Sequence, residues 1–290
     1  MFGDCHVHIA LNGNDFATAE ALHAGGVNEA SVREHFLEYQ KRGISFLREG
    51  GDAWGVSAIA RHIAPEYGID YITPLFAIHK KGHYGSIVGR GFETLRDFAA
   101  LVDEAASSGA DFIKIMTTGI MDFNTYGNII LGAPLEAATV KEMVHIAHEC
   151  GLAVCSHTNG AGAVLDAIEA GVQSIEHGNY LNEECIQAFA ESRTIYVPTA
   201  SVSKNLIGTG RFDDEVLARV ADTSKQNIIL AMEAGVVLAL GSDAGAGGVE
   251  HGDGLIREYA FFQECIADRT ALDTRLEEGE HQIKETFRRT

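Results

Sequence analysis

Basic residues are scarce in this sequence: 22 Lys and Arg stand against 41 Asp and Glu over 290 residues, a formal net charge of -19. Such a surface repels phosphate backbones and anionic headgroups, which excludes nucleic acid and membrane surfaces as partners. Long apolar runs are missing too, since none approaches the roughly 20 residues of a bilayer span. Met1-Phe2-Gly3-Asp4 has neither the basic nor the apolar segment of a secretory signal. The five cysteines, Cys5, Cys150, Cys155, Cys185 and Cys265, are odd in number and lack CxxC spacing. That excludes a disulfide framework and points to free thiols in a reducing, cytoplasmic compartment. With 46% hydrophobic residues and only four prolines, the chain is neither disordered nor collagen-like. A chain of this length buries roughly 75% of its unfolded surface without staples, so any metal must be there for chemistry.

What is present is an alternation. Amphipathic helical stretches end at glycine and give way to short β-branched runs: Gly43 before Ile44, Gly68 before Ile69, Gly109 before Asp111-Phe112-Ile113-Lys114-Ile115, Gly151 before Leu152, Gly171 before Val172, and Gly235 before Val236. Glycine suits the residue after a helix because it takes positive φ without a Cβ penalty. With the Asp4–Ile9 and Thr194–Val197 runs, this makes about eight strand candidates, each followed by a helix candidate. Repeated strand–helix units predict a parallel α/β fold, here a (β/α)8 TIM barrel. A doubly wound open sheet is the competitor, but it favours a Gly-rich phosphate turn after its first strand, where this chain has His6-Val7-His8-Ile9. The barrel is expected over residues 1–268, and 269–290 reads as a charged C-terminal helix or tail.

Active sites of such barrels lie at the C-terminal strand ends. His6 and His8 close the first strand, Lys114 lies in the fourth, His157 ends the fifth, His177 the sixth and Asp243 the eighth. Residues two apart on a strand share a face, so His6 and His8 can grip one ion. His157 and His177 stand in apolar runs where an unpartnered imidazole is costly. Lys114, within Phe112-Ile113-Lys114-Ile115-Met116, must be paired, neutral or modified if buried. Reaction with CO2 would make it an anionic carbamate able to bridge two cations; an ordinary salt bridge to a carboxylate such as Asp243 is the alternative.

Asp4-Cys5-His6-Val7-His8, Lys114, Ser156-His157-Thr158, Glu176-His177-Gly178 and Gly241-Ser242-Asp243-Ala244 together resemble the ligand set of the amidohydrolase superfamily, in the same strand order. Arg48-Glu49-Gly50-Gly51-Asp52, Ile113-Lys114-Ile115 and Glu176-His177-Gly178 are similar to its imidazolonepropionase-like and prolidase-like branch. The resemblance spans roughly residues 4–265. It implies two Zn2+ ions per chain: one on His6, His8 and Asp243, the other on His157 and His177, with carboxylated Lys114 and a hydroxide bridging both. Asp243 would act as general base and acid in hydrolysing an amide-type C–N bond of an N-acyl amino acid, dipeptide or cyclic amide. A lactonase or phosphotriesterase of the same superfamily would carry the same ligands, and a metal-binding inactive barrel is the reading from outside enzymology. A mononuclear deaminase would want a glutamate where Gly160 stands and no Lys114. The branch usually adds a small β-sandwich around the barrel. Here the HxH strand begins at residue 4, so a barrel without that accessory is expected, either compact by nature or truncated.

Substrate contacts are expected from the loops at the strand ends: His79, with Lys80, Lys81 and His83, after the third strand, Tyr126 after the fourth as oxyanion support, and Thr199 or Ser201 after the seventh. A small carboxylate-bearing substrate would pair with one of the basic residues here or with Arg48. A homo-oligomer is compatible with all of this. His145 and His148 lie off the apolar face of their helix and are not expected to bind metal. The Gly241–Gly254 stretch reads as a mobile loop at the barrel mouth, since it opens no helix in a P-loop pattern.

Overall fold

The computed structural model describes residues 1–289. Its strands are β1 (Asp4–Val7), β2 (Phe46–Glu49), β3 (Asp70–Ile72), β4 (Ala77–Lys80), β5 (Gly89–Phe92), β6 (Ile113–Met116), β7 (Ile120–Met121), β8 (Ile129–Ile130), β9 (Val154–Thr158), β10 (Ser174–His177) and β11 (Ile195–Val197). The helices are α1 (Phe16–His23), α2 (Glu29–Lys41), α3 (Val56–Ile63), α4 (Leu95–Ser107), α5 (Ala137–Glu149), α6 (Ala161–Ala170), α7 (Glu183–Glu191), α8 (Ser201–Leu206), α9 (Asp214–Glu233), α10 (Asp253–Cys265) and α11 (Arg269–Phe287). All six glycines expected after helices take positive φ, between 68° and 87°.

Parallel pairing runs β1–β2–β3 and β4–β6–β9–β10–β11. The third barrel strand is split: β3 pairs with β2, β4 pairs with β6, and Pro74 and Leu75 turn the chain between them, Leu75 at φ 68°. The eighth strand is residues 236–244, which form ladder bonds without a regular strand. Tyr196 N–H donates to the Val237 carbonyl at 2.9 Å, Cys5 N–H to Leu240 at 2.9 Å, and Asp243 N–H to His6 at 2.8 Å. These bonds link β11 to β1, completing the eight strands of a (β/α)8 barrel. β5 joins the outer side of β4, and β7 with β8 forms a hairpin in the loop after β6.

One expectation changes at the C-terminus. The charged stretch 269–290 reads in sequence as a unit outside the barrel, yet Leu272, Leu276, Ile283 and Phe287 of α11 are fully buried; Thr290 lies outside the described residues. Ile283 and Phe287 pack with Cys5, Phe46, Phe112 and Ala239 to close the end of the barrel opposite the strand C-termini. The approach is close: a Cβ at Gly279 would lie 1.9 Å from the Leu238 carbonyl oxygen. By the spread of large-to-small core substitutions, Phe287 contributes about 3–5 kcal/mol there.

Candidate metal centre

Alternation along β1 turns His6 and His8 to one side, where their ring centres lie 5.2 Å apart. His177 at the end of β10 stands 5.3 Å from His6 and 4.7 Å from His157 of β9. Asp243 Oδ1 comes within 3.4 Å of His6 Nε2 and 3.6 Å of His8 Nε2. Lys114 lines the same cavity of about 360 Å³ and is buried. The structure thus brings all six expected ligand residues around one space.

Each imidazole has one nitrogen engaged. His6 Nδ1 meets Glu176 Oε2 at 2.7 Å, His8 Nδ1 the Gly51 carbonyl at 3.3 Å, and His177 Nδ1 the Thr199 hydroxyl at 2.7 Å. His157 uses Nε2 instead, 3.0 Å from the Gly119 carbonyl. A ring whose one N–H is so directed presents a lone pair at the other nitrogen, which is how ligating histidines are oriented. Burial holds the protonated forms off: His8 is pushed down to about 3, His157 to about 4, and His177 well below the usual histidine range. Neutral imidazole is the form a metal takes. Burial raises the Asp243 carboxyl, but the His6 imidazole beside it, with the neighbouring His177 and His8 rings, holds it below the usual carboxylate range. Among the described residues His6 Nε2 and Lys114 Nζ are buried with no hydrogen-bond partner. The donor set therefore fits a divalent cation, and His6, His8 and Asp243 bring one ligand atom each within 4.8 Å of one another. Among the described residues Lys114 forms no salt bridge, with Asp243 or any other carboxylate.

Backbone strain concentrates here. His177, Thr199 and Asp243 take φ of 68°, 47° and 59°, a left-handed conformation that costs a non-glycine residue about 1–3 kcal/mol and persists only where the surroundings enforce it. Gly50 supplies the space: a Cβ there would sit 2.3 Å from His8 Cε1.

The amidohydrolase family matches residues 2–281. This chain belongs to the amidohydrolase family. Among relatives, ochratoxinase of Aspergillus niger is 32% identical over 146 residues, 48% of this chain and 30% of that protein. An uncharacterised protein of Mycobacterium tuberculosis is 28% identical over 259 residues, 86% of this chain and 63% of the relative. The matches span less than two thirds of either relative. Among solved structures, a Xaa-Pro dipeptidase with bound methionine in its active site superposes with a TM-score of 0.77 at 24% identity, covering 98% of this chain and 75% of that one. The A. niger ochratoxinase structure gives 0.76 at 20% identity, covering 98% and 71%. Both share the fold of this amidohydrolase-family chain.

The expected substrate residues fare unevenly. Thr199 lines the cavity and holds His177. Arg48 does not face the cavity. It is buried beneath it, Nε donating to the Cys5 carbonyl at 2.6 Å, Nη1 to Ser174 Oγ at 2.8 Å and Nη2 to both Glu176 oxygens at 2.8 and 2.9 Å. Burial raises the Glu176 carboxyl, but Arg48, then His6, hold it well below the ordinary range. Arg48 thereby fixes the acceptor that orients His6. His79 is buried on β4 against Gly85 and Gly91, outside the cavity lining. Tyr126 packs on Arg219, and its hydroxyl meets the Thr223 hydroxyl at 2.9 Å, also outside it. Lys81 pairs with Glu93.

Residues not anticipated line the cavity instead. Tyr84 has its ring 5.1 Å from His157, and burial, then Asp243, push its hydroxyl up, so it stays protonated. Asn179 Nδ2 donates to Asn159 Oδ1 at 2.9 Å, and Arg211, Phe123 and Phe212 stand at the rim. Tyr84 sits in the loop after the third barrel strand beside the basic residues expected there, and its aromatic hydroxyl is the sequence signal for this role. Among the described residues no helix is long and apolar enough to cross a membrane.

Proposed function

We propose that this chain is a metal-dependent amidohydrolase that cleaves an amide-type C–N bond in a small carboxylate-bearing substrate, an N-acyl amino acid, dipeptide or cyclic amide. The observation that carries the reading is Lys114, whose buried Nζ has no hydrogen-bond partner among the described residues and which lines one cavity with His6, His8, His157 and His177. Left without a partner, Lys114 carries the desolvation cost of a buried polar group. Its neutral amine can add to CO2, forming an N–C bond and releasing a proton, and the resulting carbamate is an oxygen ligand suited to two cations. His6, His8 and Asp243 would hold one ion, His157 and His177 the other, and carboxylated Lys114 both; Zn2+ suits these donors. When bound, the pair supplies polarisation of the scissile carbonyl and a nucleophile from water near neutral pH.

The remaining work falls to side chains. Asp243 is ionised, accepts the proton of the attacking water and passes it to the leaving amine. Tyr84 keeps its phenolic proton and offers it as a hydrogen bond to the oxygen that gains negative charge, the role expected of Tyr126. Thr199 fixes the ring of His177. Support for an amide comes from the family and from the relatives named ochratoxinase and Xaa-Pro dipeptidase. The free thiols favour a reducing compartment, and we assign the chain to the cytoplasm.

The test is metal content and Lys114 chemistry together. Protein purified without chelator should hold about two divalent ions per chain, and growth with 13C-bicarbonate should give a carbamate carbon signal that Lys114→Ala abolishes along with bound metal. Two ions without that signal would overturn the bridge; fewer than about one ion per chain would overturn the binuclear reading.

A further inference from the structure

The cavity walls around this polar cluster are largely apolar. Phe123 and Phe212 meet edge to face there with ring centres 5.4 Å apart. Phe16 and Ile130 line the same rim while remaining 38% and 41% exposed, an arrangement that favours an apolar ligand to cover them. Cationic side chains are few: among the lining residues only Lys114 and Arg211 are Lys or Arg, and Lys114 lies buried among the ligands.

Arg211 is exposed but held. Its Nη1 donates to the Asn14 carbonyl at 3.0 Å, and its guanidinium carbon stands 5.3 Å from the centre of the Phe212 ring. A Cβ at Gly247 would fall 2.5 Å from Nη1, so the guanidinium lies against the glycine loop that continues from Asp243. One carbonyl engages one of five N–H donors and leaves the rest of the fork open. Among the described residues Arg211 forms no ion pair; Asp15, the carboxylate it influences, is held chiefly by Thr18. In a chain of net charge -19 an anionic substrate needs a local cation, and this is the one at the mouth.

We propose that Arg211 is the specificity determinant of this site: it pairs with the free α-carboxylate of the amino acid on the amine side of the scissile amide, while that residue's aromatic or bulky apolar side chain packs on Phe123 and Phe212. This rests on the amidohydrolase reading above. A guanidinium beside an apolar wall forms charge-assisted hydrogen bonds to a carboxylate and is left unpaired by an analogue without one.

The experiment compares benzyloxycarbonyl-Gly-L-Phe with benzyloxycarbonyl-Gly-phenethylamide, which offers the same bond and ring without the carboxylate. Wild type should prefer the acid in kcat/KM by on the order of 100-fold, and Arg211→Met should bring the ratio near one. Replacing Phe by Ala in the acid should cost about tenfold or more, and Phe212→Ala should narrow that gap. A ratio that persists in Arg211→Met, or a wild type that cleaves both compounds alike, overturns the proposal while leaving the hydrolytic reading in place. Calorimetric binding of the acid to Asp243→Asn, with and without Arg211→Met, separates the converse case. If wild type cleaves neither compound yet binding in Asp243→Asn still requires Arg211, the anchor stands and the hydrolytic reading falls.

Discussion

The two ends of the barrel handle buried polarity in opposite ways. Beneath the cavity, Arg48 is fully buried and each of its nitrogens has an acceptor, with Glu176, Ser174 and the Cys5 carbonyl closing the network. At the strand C-termini, His6 Nε2 and Lys114 Nζ are as deeply buried and have none among the described residues. Satisfied polar groups rigidify, whereas unsatisfied ones cost free energy until something binds. The same fold therefore separates a scaffold from a reactive surface, joined through one contact: Glu176 touches Arg48 on one side and His6 on the other.

That separation can be pressed from either end. The largest effect should come from Asp243→Asn, which keeps shape but removes the proton acceptor: kcat should fall about 10^3–10^4-fold, with a melting temperature within a few degrees of wild type by scanning calorimetry. A comparable loss of folding stability would mean that the carboxylate belongs to the scaffold. Next comes Arg48→Met, which breaks a buried pair and leaves Glu176 uncompensated. Stability should drop by about 3–5 kcal/mol in urea titrations, and metal affinity should weaken by about 10–100-fold in competition with a chromophoric chelator. Lost stability with unchanged metal affinity would show that the two ends are independent.

The smallest effect concerns Glu258 of α10, which is buried and accepts the N–H groups of Ala200 and Ser201 at 2.8 and 2.7 Å, anchoring α8 just after Thr199. Burial raises its carboxyl from 4.5 to about 7. A folded-state value above the unfolded one stabilises the fold below about pH 4.5, and that contribution is lost as pH rises through 7. Glu258→Gln should flatten the stability profile between those limits, by up to about 3 kcal/mol. Parallel urea midpoints for wild type and variant at every pH would place the titrating group elsewhere.

The proposed ligand residues could be singled out because they sit at strand ends, where period-two alternation and chain order fix which way a side chain faces. His6, His8, His157, His177 and Asp243 stand out by that rule, and the family resemblance groups them as one set. Arg48 misled because it too lies near a strand end, but Phe46 and Arg48 share a face of β2 that points below the cavity, and a long side chain reaches whatever acceptor is there. α11 reads in sequence as a charged helix or tail and is a helix; its stripe at Leu272, Leu276, Ile283 and Phe287 has helical spacing and is buried, and the charges lie on the remaining faces. Arg211 carried no local signal. Its position follows from the Asn14 carbonyl and Gly247, each more than thirty residues away in sequence.

The packing of α11 also determines where the chain can be held. Gly3 N–H donates to Glu280 Oε2 at 2.7 Å and Arg288 pairs with Asp70, so the two outermost described stretches meet on the closed side of the barrel. An affinity handle or solid support joined at either would hold the molecule with its opening turned toward the solution, an orientation suited to immobilised assays and to fusions that must not obstruct substrate entry.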